Sequence, residues 1–234
     1  MKTTKLIVTF ALLLVCGMAQ AQSQAQEVFF AAKAGMVQLY AQKNNKGKVQ
    51  SYTRMTVKSV EGSGSNMTIS YVMEMLDDKR KPQSNAPAEI PCTVIIRDNV
   101  VILDMNQAFA GMMQSQQLKM EITGVPMELP SNMQPGQSLK DANMTMSIDM
   151  GIMKMSTTIN MTDGKCLAIE NVTVGAGTFR CHKITQTVTT TIMRRDVIAT
   201  TVSWYAPGVG TVKTESYNNK QQLQSSTELV EMSF

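Results

Sequence analysis

The 234-residue sequence predicts a mainly β protein: a single antiparallel sheet of about ten strands carrying one short amphipathic helix. Three observations carry this expectation. Runs rich in threonine, valine and isoleucine recur along nearly the whole chain, and β-branched residues suit a pleated strand better than a helix. Clusters of Asn, Asp, Gly and Pro separate the runs at spacings short enough for hairpins. A helical apolar spacing stands out in only one stretch.

The chain opens with Lys2 and Lys5, an apolar run from Leu6 to Val15, and the small-residue site Ala19-Gln20-Ala21. That order is the charged, apolar and cleavage region of a secretory leader, so residues 1–21 are expected to be a signal peptide and residues 22–234 a single β-rich domain. Cys16 raises a lipid-anchored alternative, but the residue before it, Val15, is larger than the small residue that bacterial lipidation sites favour. After Gln22 no apolar stretch reaches the length of a membrane span, so no transmembrane segment is expected in the mature chain.

Turns punctuate the first half at Asn44-Asn45-Lys46-Gly47, Glu61-Gly62-Ser63-Gly64 and Arg97-Asp98-Asn99. The second half repeats the device at Asp163-Gly164, Gly175-Ala176-Gly177, Arg194-Arg195-Asp196, Pro207-Gly208 and Asn218-Asn219-Lys220. Each joins two runs closely enough for a local connection, which implies a meander. The run Thr178 to Met193 is threonine-rich and reads as one strand.

The helix is expected over Met105 to Lys119. Met105, Ala108, Phe109, Met112 and Met113 recur at i, i+3, i+4, i+7 and i+8, Asp104 can cap the amino end, and Lys119 suits the carboxyl end.

Methionine is the compositional anomaly. Of 21 methionines only Met1 and Met18 leave with the leader, and the densest tract is Met144 to Met161. Met144, Met146, Ile148 and Met150 share one parity; Met153, Met155, Ile159 and Met161 share the other, with Gly151 at the switch. A bulge there would return both sets to one face, giving a strand or strand pair with a thioether surface. Three readings compete for that surface: packed core filled by unbranched side chains, the wall of an apolar cavity, or Cu(I) capture by Met-x-Met pairs. The i, i+2 spacing that a copper site would need is also plain sheet periodicity.

Composition excludes several classes. Loss of Lys2 and Lys5 lowers the net charge from +4 to +2, and the largest basic cluster is Lys79-Arg80-Lys81. Neither a nucleic-acid footprint nor a polybasic membrane patch is present. A single histidine, His182, removes any multi-histidine metal site, and no cofactor motif is found. Cys181 beside it invites a thiol–imidazole dyad, but neighbours on a strand point to opposite faces. Gly175-Ala176-Gly177 lacks the third glycine and the following helix of a nucleotide loop. No catalytic residue is assigned. Cys92, Cys166 and Cys181 remain after leader removal, enough for one pair and one free thiol.

The stretches Val172-Thr173-Val174-Gly175-Ala176-Gly177-Thr178-Phe179-Arg180-Cys181-His182-Lys183-Ile184 and Trp204-Tyr205-Ala206-Pro207-Gly208-Val209-Gly210-Thr211-Val212-Lys213 resemble the TapB-like family of exported Bacteroidota proteins. Pro91-Cys92 to Asp104 and Pro135 to Asp141 extend the resemblance over most of the mature chain. It implies cysteines at Cys92 and Cys181, and hence a disulfide between them. More distantly it is similar to the half-barrels that carry lipids or lipoproteins across the periplasm, which implies a strongly curved sheet with the helix on its concave face. Fold analogy alone transfers no function.

The expected function is therefore an exported, non-enzymatic protein of the periplasm, the exterior or the outer-membrane surface. Its partner would be an apolar small molecule, a lipid, a lipoprotein segment or another protein. The ligand-binding candidates are Met144, Met146, Ile148, Met150, Met153 and Met155, with Phe109, Met112 and Met113 from the helix. The alternative is a structural or interaction domain with a closed core.

Overall fold

The computed structural model describes residues 28–84, 86–103, 119–149 and 154–234. The expected leader and the expected helix lie outside the described residues, except Lys119, which opens a strand instead. Regular structure among the described residues is a single antiparallel sheet of 13 strands. The first five are β1 (Val37–Asn44), β2 (Val49–Ser63), β3 (Asn66–Leu76), β4 (Ile90–Arg97) and β5 (Val100–Leu103). Then come β6 (Lys119–Val125), β7 (Met127–Pro130), β8 (Ala142–Asp149) and the long β9 (Lys154–Val174). The last four are β10 (Gly177–Ile192), β11 (Arg195–Ala206), β12 (Gly210–Asn218) and β13 (Leu223–Ser233).

The order β6-β8-β9-β10-β11-β12-β13-β1-β2-β3-β4-β5-β7 joins two meanders through β1 and β13. The two edge strands, β6 and β7, are consecutive in the chain and separated only by Pro126. Proline has no amide to donate, so it fits where a strand leaves one edge and starts the other. The sheet therefore curls into a nearly closed barrel whose seam is crossed by its own backbone. Thirteen strands replace the expected ten because β7 has only four residues, too short for a period to show, and because β6 and β7 occupy a stretch broken by Gly124, Pro126 and Pro130.

Two hairpins at the β1–β13 junction are built alike. Asn44 Oδ1 accepts from the amides of Lys46 and Lys48, and Asn218 Oδ1 from those of Lys220 and Gln222. A short side-chain acceptor that satisfies two loop amides is the reason asparagine opens such turns. Asp163-Gly164, expected as a turn, is instead a bulge inside β9, where the register with β10 shifts between Thr185 and Thr187. The β7–β8 loop crosses there. Leu139 donates its amide to the Gly164 carbonyl (2.8 Å), and a Cβ on Gly164 would lie 2.9 Å from that of Leu139.

The main core fills one face of the sheet with Ile69, Val94, Ile96, Val101, Leu129, Met133 and Ile184, and the segment before β1 adds Val28, Phe29 and Ala31. A smaller core of Cys181, Trp204, Ala206 and Val212 lies on the opposite face of β10 and β11. It is enclosed because the β9–β10 hairpin bends over β13, where the Ala176 amide reaches the Leu229 carbonyl (3.3 Å). This split corrects the expected disulfide: Cys92 belongs to the main core, Cys181 to the smaller one, and both are free, as is Cys166.

Candidate functional site

The methionine tract forms the strand pair β8–β9. Opposite residues in an antiparallel pair share a face, and the register sets Ile148 against Met155, Met146 against Thr157, Met144 against Ile159 and Ala142 against Met161. β6 continues the face with Ile122 opposite Met146 and Gly124 opposite Met144. Gly124 is required: its φ is +144° and a Cβ would stand 2.1 Å from the Asn143 carbonyl oxygen. On the other side β10 brings Val188 opposite Met161 and Ile192 opposite Thr157, and β11 sets Val197 opposite Thr190.

This inward face is not packed like the main core. Ile122 and Ala142 are buried, whereas Met144, Met146, Ile148, Met155, Ile159 and Met161 are only half-buried. Ile192 and Val197, at its far end, are 45% and 60% exposed. A cavity of about 300 Å³ opens at the seam, between Ile122, Val125, Met144, Ile159 and Met161 on one side and Leu103 and Met127 on the other. Thr123 and Asn143 are its polar lining residues, and none of its described lining residues is charged.

A second cavity of about 280 Å³ is walled by Phe29, Phe30, Tyr40, Met55, Leu129 and Tyr205. Tyr40 and Tyr205 keep some surface because it faces this space, yet both are deep enough that burial pushes their phenols above the ordinary tyrosine range. Phe30 packs against Tyr71 with ring centroids 5.4 Å apart, which anchors the segment before β1 across the interior.

Alternation on β10 separates the residues that resembled a dyad. His182 stacks edge-on to Phe29 at 4.7 Å on the inner face, and burial first, then the charge of Arg180, holds its pKa below the usual imidazole value. Cys181 points into the smaller core, where burial raises its thiol to about 11. A protonated, enclosed thiol is a poor nucleophile. Beside it Trp204 Nε1 donates to Glu170 Oε1 (2.7 Å), and the ammonium groups of Lys183 and Lys213 sit 5.2 and 5.4 Å from the indole centroid. The indole bond, then Lys183, keeps the Glu170 carboxyl below its usual pKa.

Of the residues singled out in the sequence, Met144 lines the seam cavity, while Met146, Ile148 and Met155 extend the same inward face beyond it. Met150, Met153, Phe109, Met112 and Met113 lie outside the described residues. Sequence reasoning missed Ile122, on β6 opposite Met146, and Leu103 and Met127, which meet at the seam only once β5 pairs with β7. It also missed Phe29 and Phe30, although the apolar triplet Val28-Phe29-Phe30 just after the leader was a usable signal.

Among solved structures, the chain is similar to a candidate exported protein of Bacteroides fragilis with a YmcC-like fold, at 19% identity and a TM-score of 0.71, covering 89% of this chain and 100% of that one. It is similar also to a candidate lipoprotein of Parabacteroides distasonis, at 21% identity and a TM-score of 0.72, covering 88% of this chain and 99% of the other. These identities establish a shared fold. No curated protein matches the chain significantly. Residues 33–229, from just before β1 into β13, match the DUF3108-like family, and the chain belongs to that family.

Proposed function

We propose that the protein is an exported, non-enzymatic carrier that holds an apolar ligand against the inward face of β6, β8 and β9. The observation that carries this reading is the seam cavity, walled among the described residues by aliphatic and thioether side chains without a charge. Unbranched methionine adapts to loosely shaped apolar partners, and half-buried methionines on a concave face leave room for one. The leader supports export, as do the TapB-like motifs and the two structural relatives described as exported protein and lipoprotein. Native mass spectrometry of the mature chain from its own host tests the reading. A lipid-sized adduct that organic extraction removes is expected; a bare polypeptide mass from a preparation never exposed to detergent would count against it.

A further inference from the structure

Leu103 lines both the seam cavity and the second one, so the two spaces adjoin at its side chain. The two spaces differ in chemistry. Among the described residues the seam cavity is almost wholly apolar, whereas the second one brings Tyr40, Gln42, Thr53, Tyr205, Thr211 and Thr227 to its wall, and none of the described lining residues is charged. Gln42 and Thr53 are already committed to each other, at 2.9 Å. The Tyr40 hydroxyl has no hydrogen-bond partner among the described residues. Part of the Tyr40 surface is open to this cavity, so its hydroxyl is placed to bond an occupant.

We propose that the two cavities form one bipartite site for a single-chain amphiphile with an uncharged, hydrogen-bonding head. A long-chain monoacylglycerol has this chemistry: its head would lie beside Tyr40 and its chain would run past Leu103 toward Met144 and Met161. This rests on the carrier reading and adds the ligand class. A carboxylate head fits poorly, since it would lose its hydration against a wall whose described residues offer no cation. At about 300 and 280 Å³ each cavity sits at or just below the small end of ligand sites, and joined they fall well inside that range.

Calorimetric titration of the delipidated mature chain with 1-monooleoylglycerol, oleate and 1-monocapryloylglycerol tests the proposal. Monooleoylglycerol should bind saturably, with oleate weaker by about tenfold or more at neutral pH, as expected for an unpaired buried charge. Tyr40→Phe, which keeps the ring and removes the hydroxyl, should weaken monooleoylglycerol by about fivefold to tenfold and leave the melting temperature unchanged. Met144→Phe, which fills the seam, should weaken the long chain and spare the eight-carbon one. Affinity of the unaltered protein should likewise rise with chain length beyond eight carbons, a readout that needs no variant. Oleate binding as tightly as monooleoylglycerol would overturn the uncharged head while leaving the carrier reading intact. Affinity that does not change with chain length would overturn the joined site. Absence of binding by all three would sink the carrier reading as well.

Discussion

The meander from β1 to β5 and the strand group β6–β8–β9 share the same alternating strand pattern, yet their inward faces end differently. In the first, Ile69, Val94, Val101 and, on the adjoining β7, Leu129 are at most 1% exposed. In the second, Met144, Met146, Ile148 and Met155 keep much of their surface. The cause is what stands opposite. The first face meets the segment carrying Phe29 and the β7–β8 loop carrying Met133; the second meets the seam cavity at Met144 and runs on beyond it through Met146, Ile148 and Met155. Strand periodicity decides which way a side chain points, and long-range closure decides whether anything is there to meet it.

The contrast can be broken by truncation. Leu129→Ala removes a fully enclosed side chain and should cost ~2–5 kcal/mol in urea unfolding, the usual range for a buried aliphatic truncation. Trp204→Phe probes the smaller core: it removes the donor to Glu170, a carboxylate that water still reaches, and should cost about 1–2 kcal/mol. Met146→Ala lies on the open face and should cost about 1 kcal/mol or less. If Met146→Ala matched Leu129→Ala, the two faces would be equally packed and the contrast would collapse.

A smaller effect sharpens the packed side through pH. The folded-state pKa of His182 is lowered, so below about pH 6.5 the unfolded chain takes up a proton that the folded chain resists. Stability is therefore lost as the pH falls through that region down to the folded-state pKa. His182→Phe should flatten this part of the stability profile while keeping the ring against Phe29. An unchanged profile in the variant would show that other groups set it.

Much of this was legible in the sequence, for physical reasons that can be named. The Asn44 and Asn218 turns follow from local chemistry, since each asparagine caps loop amides within four residues of itself. The thioether face was legible because period-2 alternation survives within a strand pair, and the opposite orientations of Cys181 and His182 follow from the same rule. Asp163-Gly164 was not legible: glycine serves a turn or a bulge equally, and the choice was made by Leu139 arriving from the β7–β8 loop. The Cys92–Cys181 pairing failed because resemblance carries residue identity but not which of two cores a strand face adjoins. The seam cavity was hidden for a similar reason, because Leu103 and Met127 lie on four-residue strands whose place is fixed only by ring closure.

Saturable binding of a fluorescent acyl-chain probe to the delipidated mature protein tests most directly whether the open face is a ligand wall. The account predicts one site per chain, displaced by unlabelled amphiphile and weakened when Met161→Glu or Met144→Glu puts a charge into the apolar seam. Binding that never saturates, or that is indifferent to both charges, would contradict it.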